Sequence, residues 1–366
     1  MAINRQTDRQ VKGIRMMLGE IGRPVRLMEV CGTHTVSIFR HGLRGMFEGI
    51  RFLSGPGCPV CVTSSEDVDR AVLISREPGV ILATFGDMMR VPGSLGNLDY
   101  ARACGADVRI VYSALDALRM ARAERTRRVV FFSTGFETTA PGAAAIIHEA
   151  RKEGIKNFSV YSVHKLVPPA LRALLSTPGL DVDGFLLPGH VSTIIGARPY
   201  EFIAADKGKP AVIAGFSAED IISATLMLLG QMRQGRAAVE VQYQTAVRAE
   251  GNPKALALME EFFEPASANW RGIGTIPASG LGIREGFSGF DAAKVFAGVL
   301  GGMERAGAAS SEPPGCSCGD VLRGLKIPAE CRLFGKKCTP ESPVGACMVS
   351  TEGSCAAYYK YGGPGR

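Results

Sequence analysis

The stretch Gly55-Pro56-Gly57-Cys58-Pro59-Val60-Cys61 places two thiols two residues apart, with a proline fixing the backbone between them. Such a Cys-x-x-Cys can cycle between dithiol and disulfide, or it can supply half of a zinc site. The apolar run Ile50 to Leu53 before it reads as a strand, and Ser64-Ser65-Glu66-Asp67 after it reads as a helix start. At a strand-to-helix turn of an intracellular protein the motif is a redox candidate. A helix N-terminus beside a thiol favours its thiolate, the form that attacks disulfides and binds metals. The motif alone leaves redox and structural roles open.

A second group closes the chain. Six of the ten cysteines lie between Cys316 and Cys355. Cys316 and Cys318 form Cys-x-Cys, and then Cys331, Cys338, Cys347 and Cys355 follow at intervals of seven, nine and eight. Four thiolates satisfy either a tetrahedral zinc or an iron–sulfur cubane. Zinc modules use closer knuckles, so the wide spacing leans towards iron–sulfur while leaving zinc open. Cys316 and Cys318 are then left for thiol chemistry. A disulfide between residues separated by one is strained and easily reduced.

Other chemistry-bearing residues fall where expected strands end. Cys31-Gly32-Thr33-His34-Thr35 follows one run, Gly86-Asp87 another, Thr134 to Thr139 with Glu137 a third, and Pro188-Gly189-His190 a fourth. Open α/β sheets bind ligands outside the carboxyl ends of their strands. Each residue also has a structural role open to it. Cys31 can be a small core thiol, although its place before Gly32 favours exposure. His34 can cap the next helix, Glu137 can pair with a helix N-terminus, and Asp87 can hold its loop. His190 in a glycine turn reads as facing a ligand. His41, His148, His164 and Cys104 read as packing or surface residues, and no phosphate-loop motif occurs at a strand-to-helix turn.

The elements that must position these groups alternate. Strands at 25–30, 50–53, 80–85 and 108–112 are interleaved with helices at 36–46, 66–75 and 114–125. The rhythm resumes with strands at 129–132, 158–162, 184–187 and 211–214 and helices at 143–151, 169–175, 199–205 and 218–234. Alternation of this kind predicts parallel sheets covered by helices. The expected organisation is α/β. A 23–126 domain carries Cys31 and Cys58/Cys61, and a 127–235 domain carries Glu137 and His190. The two face a central cleft. A mostly helical and irregular cysteine-rich domain covers 236–366, with helices at 254–263 and 291–305, a glycine-rich loop at 270–287 and a mobile link at 306–315. Residues 1–22 form a helix expected to dock on that third domain.

The bulk numbers limit the class. A length of 366 residues suggests two or three domains, and 46% apolar with 21% charged residues is ordinary for a soluble protein. The net charge of +7 is spread along the chain, without the interleaved basic and aromatic residues of a nucleic-acid surface. No apolar run nears the ~20 residues of a membrane span, and the polar start lacks a signal-peptide core. The expected place is the cytoplasm, where thiols stay reduced.

Taken jointly, MEVCGTHT (28–35), GPGCPVC (55–61), TGFETTAP (134–141), PGHVSTIIG (188–196), SGLGIREGF (279–287) and CTPESPVGACMVSTEGSC (338–355) resemble the HypD family of hydrogenase maturation factors, in order and over almost the whole chain. The resemblance implies an assembly scaffold, more than a turnover enzyme, for the Fe(CN)2CO unit of nickel–iron hydrogenases. It implies a HypC-type small partner and a transient HypE-type donor carrying cyanide as a thiocyanate prepared by HypF, with no nucleic acid and no membrane. The protein would be a monomer within that hetero-complex. By position, it implies a 4Fe–4S cluster on Cys331, Cys338, Cys347 and Cys355, and a redox pair at Cys58 and Cys61. The transiently bound iron that receives CN and CO falls to Cys31 and His190, with His34, Asp87 and Glu137 lining the cleft. Cys316 and Cys318 are left as a relay. Two competing readings use much of the same set: an iron–sulfur-linked protein disulfide reductase, which has no need of Cys31 and His190, and an α/β zinc hydrolase.

Overall fold

Each short run rich in Val, Ile, Leu and Phe becomes a strand, because β-branched and aromatic side chains pack well on a pleated surface. The computed structural model describes residues 5–305 and 313–362. Its strands are β1 (Val25–Glu29), β2 (Ile50–Ser54), β3 (Val80–Thr84), β4 (Asp107–Ile110), β5 (Arg128–Ser133) and β6 (Phe158–Ser162). They continue with β7 (Gly184–Pro188), β8 (Ala211–Ala214), β9 (Val239–Val241), β10 (Phe263–Trp270) and β11 (Gly274–Ile283). β3 and β7 are buried along their whole length. Continuous burial marks parallel strands covered on both faces.

The strands make two parallel sheets and one antiparallel ribbon. The first sheet has the order β2-β1-β7-β8-β9, the second β4-β3-β5-β6, and β10 pairs with β11. The chain therefore leaves the first sheet after β2, builds the whole second sheet, and returns to lay β7 beside β1. Met28 pairs with Phe185 across that return, and Ile81 pairs with Val129 in the second sheet. This corrects the expected division into 23–126 and 127–235, since both sheets draw strands from each side of residue 126. β9 also extends the first sheet past residue 235. An even strand–helix rhythm carries no mark of where a crossover turns back.

Two further expectations change. The amphipathic helix Arg5–Ile21 buries Val11 and Ile14 in one core with Ile221 and Leu228 of helix Ala218–Arg233. It docks on the first sheet's own covering helix and not on the cysteine-rich region. The glycine-rich 270–287 stretch is largely β11, with the ribbon turn at Arg271 to Ile273. Helix Pro253–Phe262 forms as the Asn252-Pro253 start predicts, with Asn252 Oδ1 accepting the Ala255 N–H at 3.2 Å. Helix 218–233 starts with a reciprocal Ser217–Asp220 cap. Of the expected link, residues 306–312 lie outside the described residues.

The cysteine-rich region does not carry a core of its own. Cys318, Cys338, Cys347 and Cys355 share a buried cluster with Met28 and Phe185 of the first sheet, with Cys58 and Cys61, and with Trp270. Among the described residues, no helix is long and apolar enough to cross a membrane.

Candidate functional site

Cys31 stands between β1 and helix Gly32–Arg40 in extended backbone (φ −157°, ψ 121°). It is buried, with 7% exposure. Its N–H donates to Glu29 Oε2 at 3.0 Å, and Thr35 Oγ1 donates to the other carboxyl oxygen. Glu29 thus ties the strand end to the first turn of the helix. Burial pushes Glu29 up to about 8 despite these hydrogen bonds. Burial also pushes the Cys31 thiol up to about 12, against the lowering effect of the His34 and Thr33 backbone amides. The free thiol is therefore protonated at neutral pH, and a metal binding there would displace a proton.

The Cys58–Cys61 turn is pressed against this loop. Gly32 N–H donates to Gly57 O at 3.0 Å. A Cβ at Gly57 would lie 2.2 Å from Cys31 N, so this approach requires glycine. Cys58 and Cys61 are joined as a disulfide, with Cα atoms 5.3 Å apart, and both residues are buried. They sit at either end of a short helical turn, Pro59–Val62, where Cys61 N–H donates to Cys58 Sγ at 3.2 Å. The longer helix read from Ser64 onwards starts beyond the pair, with Ser64 Oγ accepting from Asp67 N–H at 3.0 Å.

All six C-terminal cysteines, Cys316, Cys318, Cys331, Cys338, Cys347 and Cys355, line one small cavity of about 10 Å³ with Leu333, Phe334 and Met348. Among the described residues, no three Cys, His, Asp or Glu side chains are drawn to a common metal-binding point. The donor set itself is all sulfur on an apolar wall, which suits a thiolate-held metal or cluster. Cys318 Sγ lies 2.6 Å from Cys347 Sγ, across 29 residues of sequence. Cys318 contacts Cys316 as well, and these sulfur contacts pull its thiol down while pushing that of Cys347 up. In the fold Cys318 is shared between Cys316 and Cys347, and Cys347 in turn between Cys318 and Cys355.

The regions touch. Thr33 Oγ1 donates to Glu352 Oε1 at 2.8 Å, and Gly32 has no room for a Cβ because Glu352 lies there. Ser350 Oγ donates to Asp87 Oδ2 at 2.8 Å, and Arg90 bonds the Pro340 carbonyl. Asp87 therefore anchors the C-terminal segment to the end of β3. His190 lies in the first turn of helix Gly189–Ile195, is exposed, and stacks on Phe216 with centroids 3.8 Å apart. Partial loss of water beside Phe216 lowers its pKa, opposed by the charge of Glu352.

His34 and Glu137 are inside the fold. His34 is fully buried, and its Nε2 donates to the Gly215 carbonyl at 2.9 Å, which ties helix Gly32–Arg40 to the end of β8. Burial pushes it down to about 4, so it is neutral. Glu137 accepts the Val167 N–H at 2.9 Å, and burial pushes it up to about 7. Sequence reasoning named neither Glu29 nor Glu352. A carboxylate inside an otherwise apolar strand was the available signal for Glu29. Glu352 carried none, since its partner Thr33 is 319 residues away.

Comparison with known proteins bears on this arrangement directly. The family described as HypD, "Hydrogenase formation hypA family", matches residues 5–362. This chain belongs to the HypD family. Its sequence is 51% identical over 343 residues to the hydrogenase maturation factor HypD of Rhodobacter capsulatus, covering 93% of this chain and 90% of that protein. It is 47% identical over 365 residues to the hydrogenase expression/formation protein HupD of Azotobacter chroococcum mcd 1, covering 97% and 94%. HypD of Escherichia coli K12 is 44% identical over 341 residues, covering 93% and 90%. The HypD match runs from the N-terminal helix past Cys355, so every thiol described above lies within it.

Proposed function

We propose that this protein is a hydrogenase maturation factor that holds an iron atom at Cys31 while cyanide and carbon monoxide ligands are added. The observation that carries this reading is the packing of three thiol-bearing segments on one another. Gly32 and Gly57 join the Cys31 loop to the Cys58–Cys61 turn, and Glu352 joins the C-terminal segment to the same loop. A thiolate is a soft donor suited to iron bearing cyanide and carbon monoxide. His190, exposed on its short helix, is the second ligand in this reading, and a HypC-type partner completes the site. A thiol system of this kind needs a reducing compartment, so we place it in the cytoplasm.

Cyanide arrives on a HypE-type donor as R–S–C≡N. Two electrons convert it to R–S⁻ and CN⁻. Cys58 and Cys61 supply that pair as their S–S bond forms and their two protons leave. The resemblance puts a 4Fe–4S cluster on Cys331, Cys338, Cys347 and Cys355. The Cys318–Cys347 contact favours another division: Cys318 and Cys347 as a second dithiol, with Cys316, Cys331, Cys338 and Cys355 holding the cluster. Such a cluster supplies electrons one at a time.

The test is co-expression with a HypC-type partner, anaerobic purification, and infrared spectroscopy of the CN and CO stretching region. Wild-type complex should carry these bands. C31A should lose them and keep the visible absorption of the cluster. A wild-type complex without bands rejects iron assembly. The disulfide Cys58–Cys61 keeps a second reading in play, an iron–sulfur-linked disulfide reductase. Reduction of protein disulfides that survives C31A would select it.

A further inference from the structure

An imidazole that binds a metal through one ring nitrogen is normally aimed by a hydrogen bond from the other. His190 has no such bond. Its carbonyl accepts from Thr193 Oγ1 at 2.7 Å, but among the described residues neither of its ring nitrogens has a hydrogen-bond partner. Its ring is held by its face instead, on Phe216, with centroids 3.8 Å and planes 19° apart. Stacking of this kind occupies the π-faces of both rings. The imidazole nitrogens lie in the ring plane, at its edge, and stay free.

Phe216 is itself tied down. It follows the end of β8 and is half-buried. Ser37 Oγ donates to its carbonyl at 2.8 Å, and His34 Nε2 donates to the carbonyl of Gly215 just before it at 2.9 Å. Ser37 and His34 both belong to helix Gly32–Arg40, which begins directly after Cys31. The Gly215 N–H donates to Gln242 Oε1 at 2.9 Å. Around the ring, Tyr243 meets it edge-on with centroids 5.8 Å apart, and the buried His34 lies 5.2 Å away. A Cβ at Gly189 would lie 3.0 Å from Phe216 Cζ and 2.5 Å from Ala214 O. The glycine before His190 therefore lets its helix settle against this ring.

We propose that Phe216 is a positioning residue for His190: its ring is a fixed platform that holds the imidazole by its face, and its backbone bonds tie that platform to the helix that follows Cys31. This rests on the reading of His190 as the second iron ligand. One helix then sets both ligands, since it starts at Cys31 and, through Ser37 and His34, carries the ring on which His190 lies. The χ2 torsion of a histidine is intrinsically broad. A free imidazole would lose that freedom when iron binds, and the lost entropy would weaken binding. The stack removes this cost in advance and leaves a ring nitrogen open to the metal.

The test has two readouts on the full-length chain. The first is the position of the His190 ring-proton NMR signals in histidine-labelled protein, picked out from the five histidines with a His190→Gln sample. The second is the rate at which the complex with a HypC-type partner loses its CN and CO infrared bands to a ferrous-iron chelator. In wild type the stack should shift the His190 signals upfield of their unfolded positions. Phe216→Leu keeps apolar bulk and has no flat ring, so the upfield shift should vanish and the bands should be lost about tenfold faster. Amide hydrogen exchange in β8 and in helix Gly32–Arg40 should stay as in wild type. Faster exchange there in F216L would assign Phe216 to the fold and overturn the proposal. Equal band loss in wild type and F216L, or unshifted wild-type His190 signals, would overturn it too. If F216L does not fold, Ser37→Ala decides: it removes one backbone tie to Phe216 and should speed band loss about threefold. An S37A complex with the wild-type rate overturns the proposal. An H190Q complex that keeps its bands as long as wild type sinks the reading of His190 as a ligand, whatever Phe216 does. Bands that need His190 alongside an unchanged F216L sink only this inference.

Discussion

Around Cys31 and Cys58–Cys61 the backbone itself does the positioning, whereas between Cys316 and Cys355 the side chains do. The first region hangs on the ends of two adjacent parallel strands, with Gly57 in contact with the Cys31 amide and Glu29 pinning the loop from below. The second contains only short helical pieces, Cys318–Leu322, Pro328–Glu330, Ala346–Met348 and the start of Ser354–Tyr361. Its interior is lined chiefly by sulfur. A strand end holds a loop through many cooperative bonds, so the first region is set before any ligand binds. The second region has little secondary structure, so a metal held by its thiols, as proposed above, would contribute folding energy there.

The contrast can be broken by substitutions with effects of decreasing size. If the C-terminal thiols hold the proposed cluster, Cys338→Ala should remove its visible absorption and speed amide hydrogen exchange through 313–362, while β1 to β8 keep their protection. Equal loss of protection in the sheets would mean that the two regions do not differ as described. Gly57→Ala puts a methyl against backbone, which cannot swing away, and should cost about 2–3 kcal/mol in denaturant unfolding. Under the proposed function it should also weaken iron retention at Cys31. A G57A protein as stable as wild type would remove the claim that backbone contact organises the first region.

A pH series probes the same region from below. Burial holds Glu29 at about 8, above its ordinary 4.5, so the folded chain binds this proton more tightly than the unfolded chain does. Its contribution is fully present below about 4.5 and is lost as pH rises towards about 8. Glu29→Gln should flatten that decline, read from urea midpoints across the range. Glu137, held at about 7, adds a slope of the same sign that E29Q leaves in place. An unchanged profile in E29Q would show that Glu29 does not carry a buried proton. The smallest effect is expected where the regions meet: Thr33→Val removes the bond to Glu352 and should cost about 1 kcal/mol. Hydrogen exchange should rise around 350–355 and not in β1. A rise confined to β1 would reverse that assignment.

Much of the local structure was legible. Val80–Thr84 and Gly184–Pro188 are apolar enough to declare themselves buried strands, and Asn252-Pro253 declares a helix start. Cys31, Cys58, Cys61 and the six C-terminal cysteines stood out by residue type. Their partners did not. His34 resembled a cleft residue and is a buried clamp on Gly215, because a histidine at a strand end looks the same whether it faces solvent or a carbonyl.

By itself the sequence determined where most strands and helices up to residue 234 form and which thiols exist, since both follow from neighbouring residues and their periodicity. Only the tertiary structure decided that β7 returns beside β1, that Cys318 meets Cys347, and that Glu352 reaches Thr33. Those contacts join residues 29 to 319 positions apart, and the sequence separation of two side chains says nothing about which crossover will bring them together.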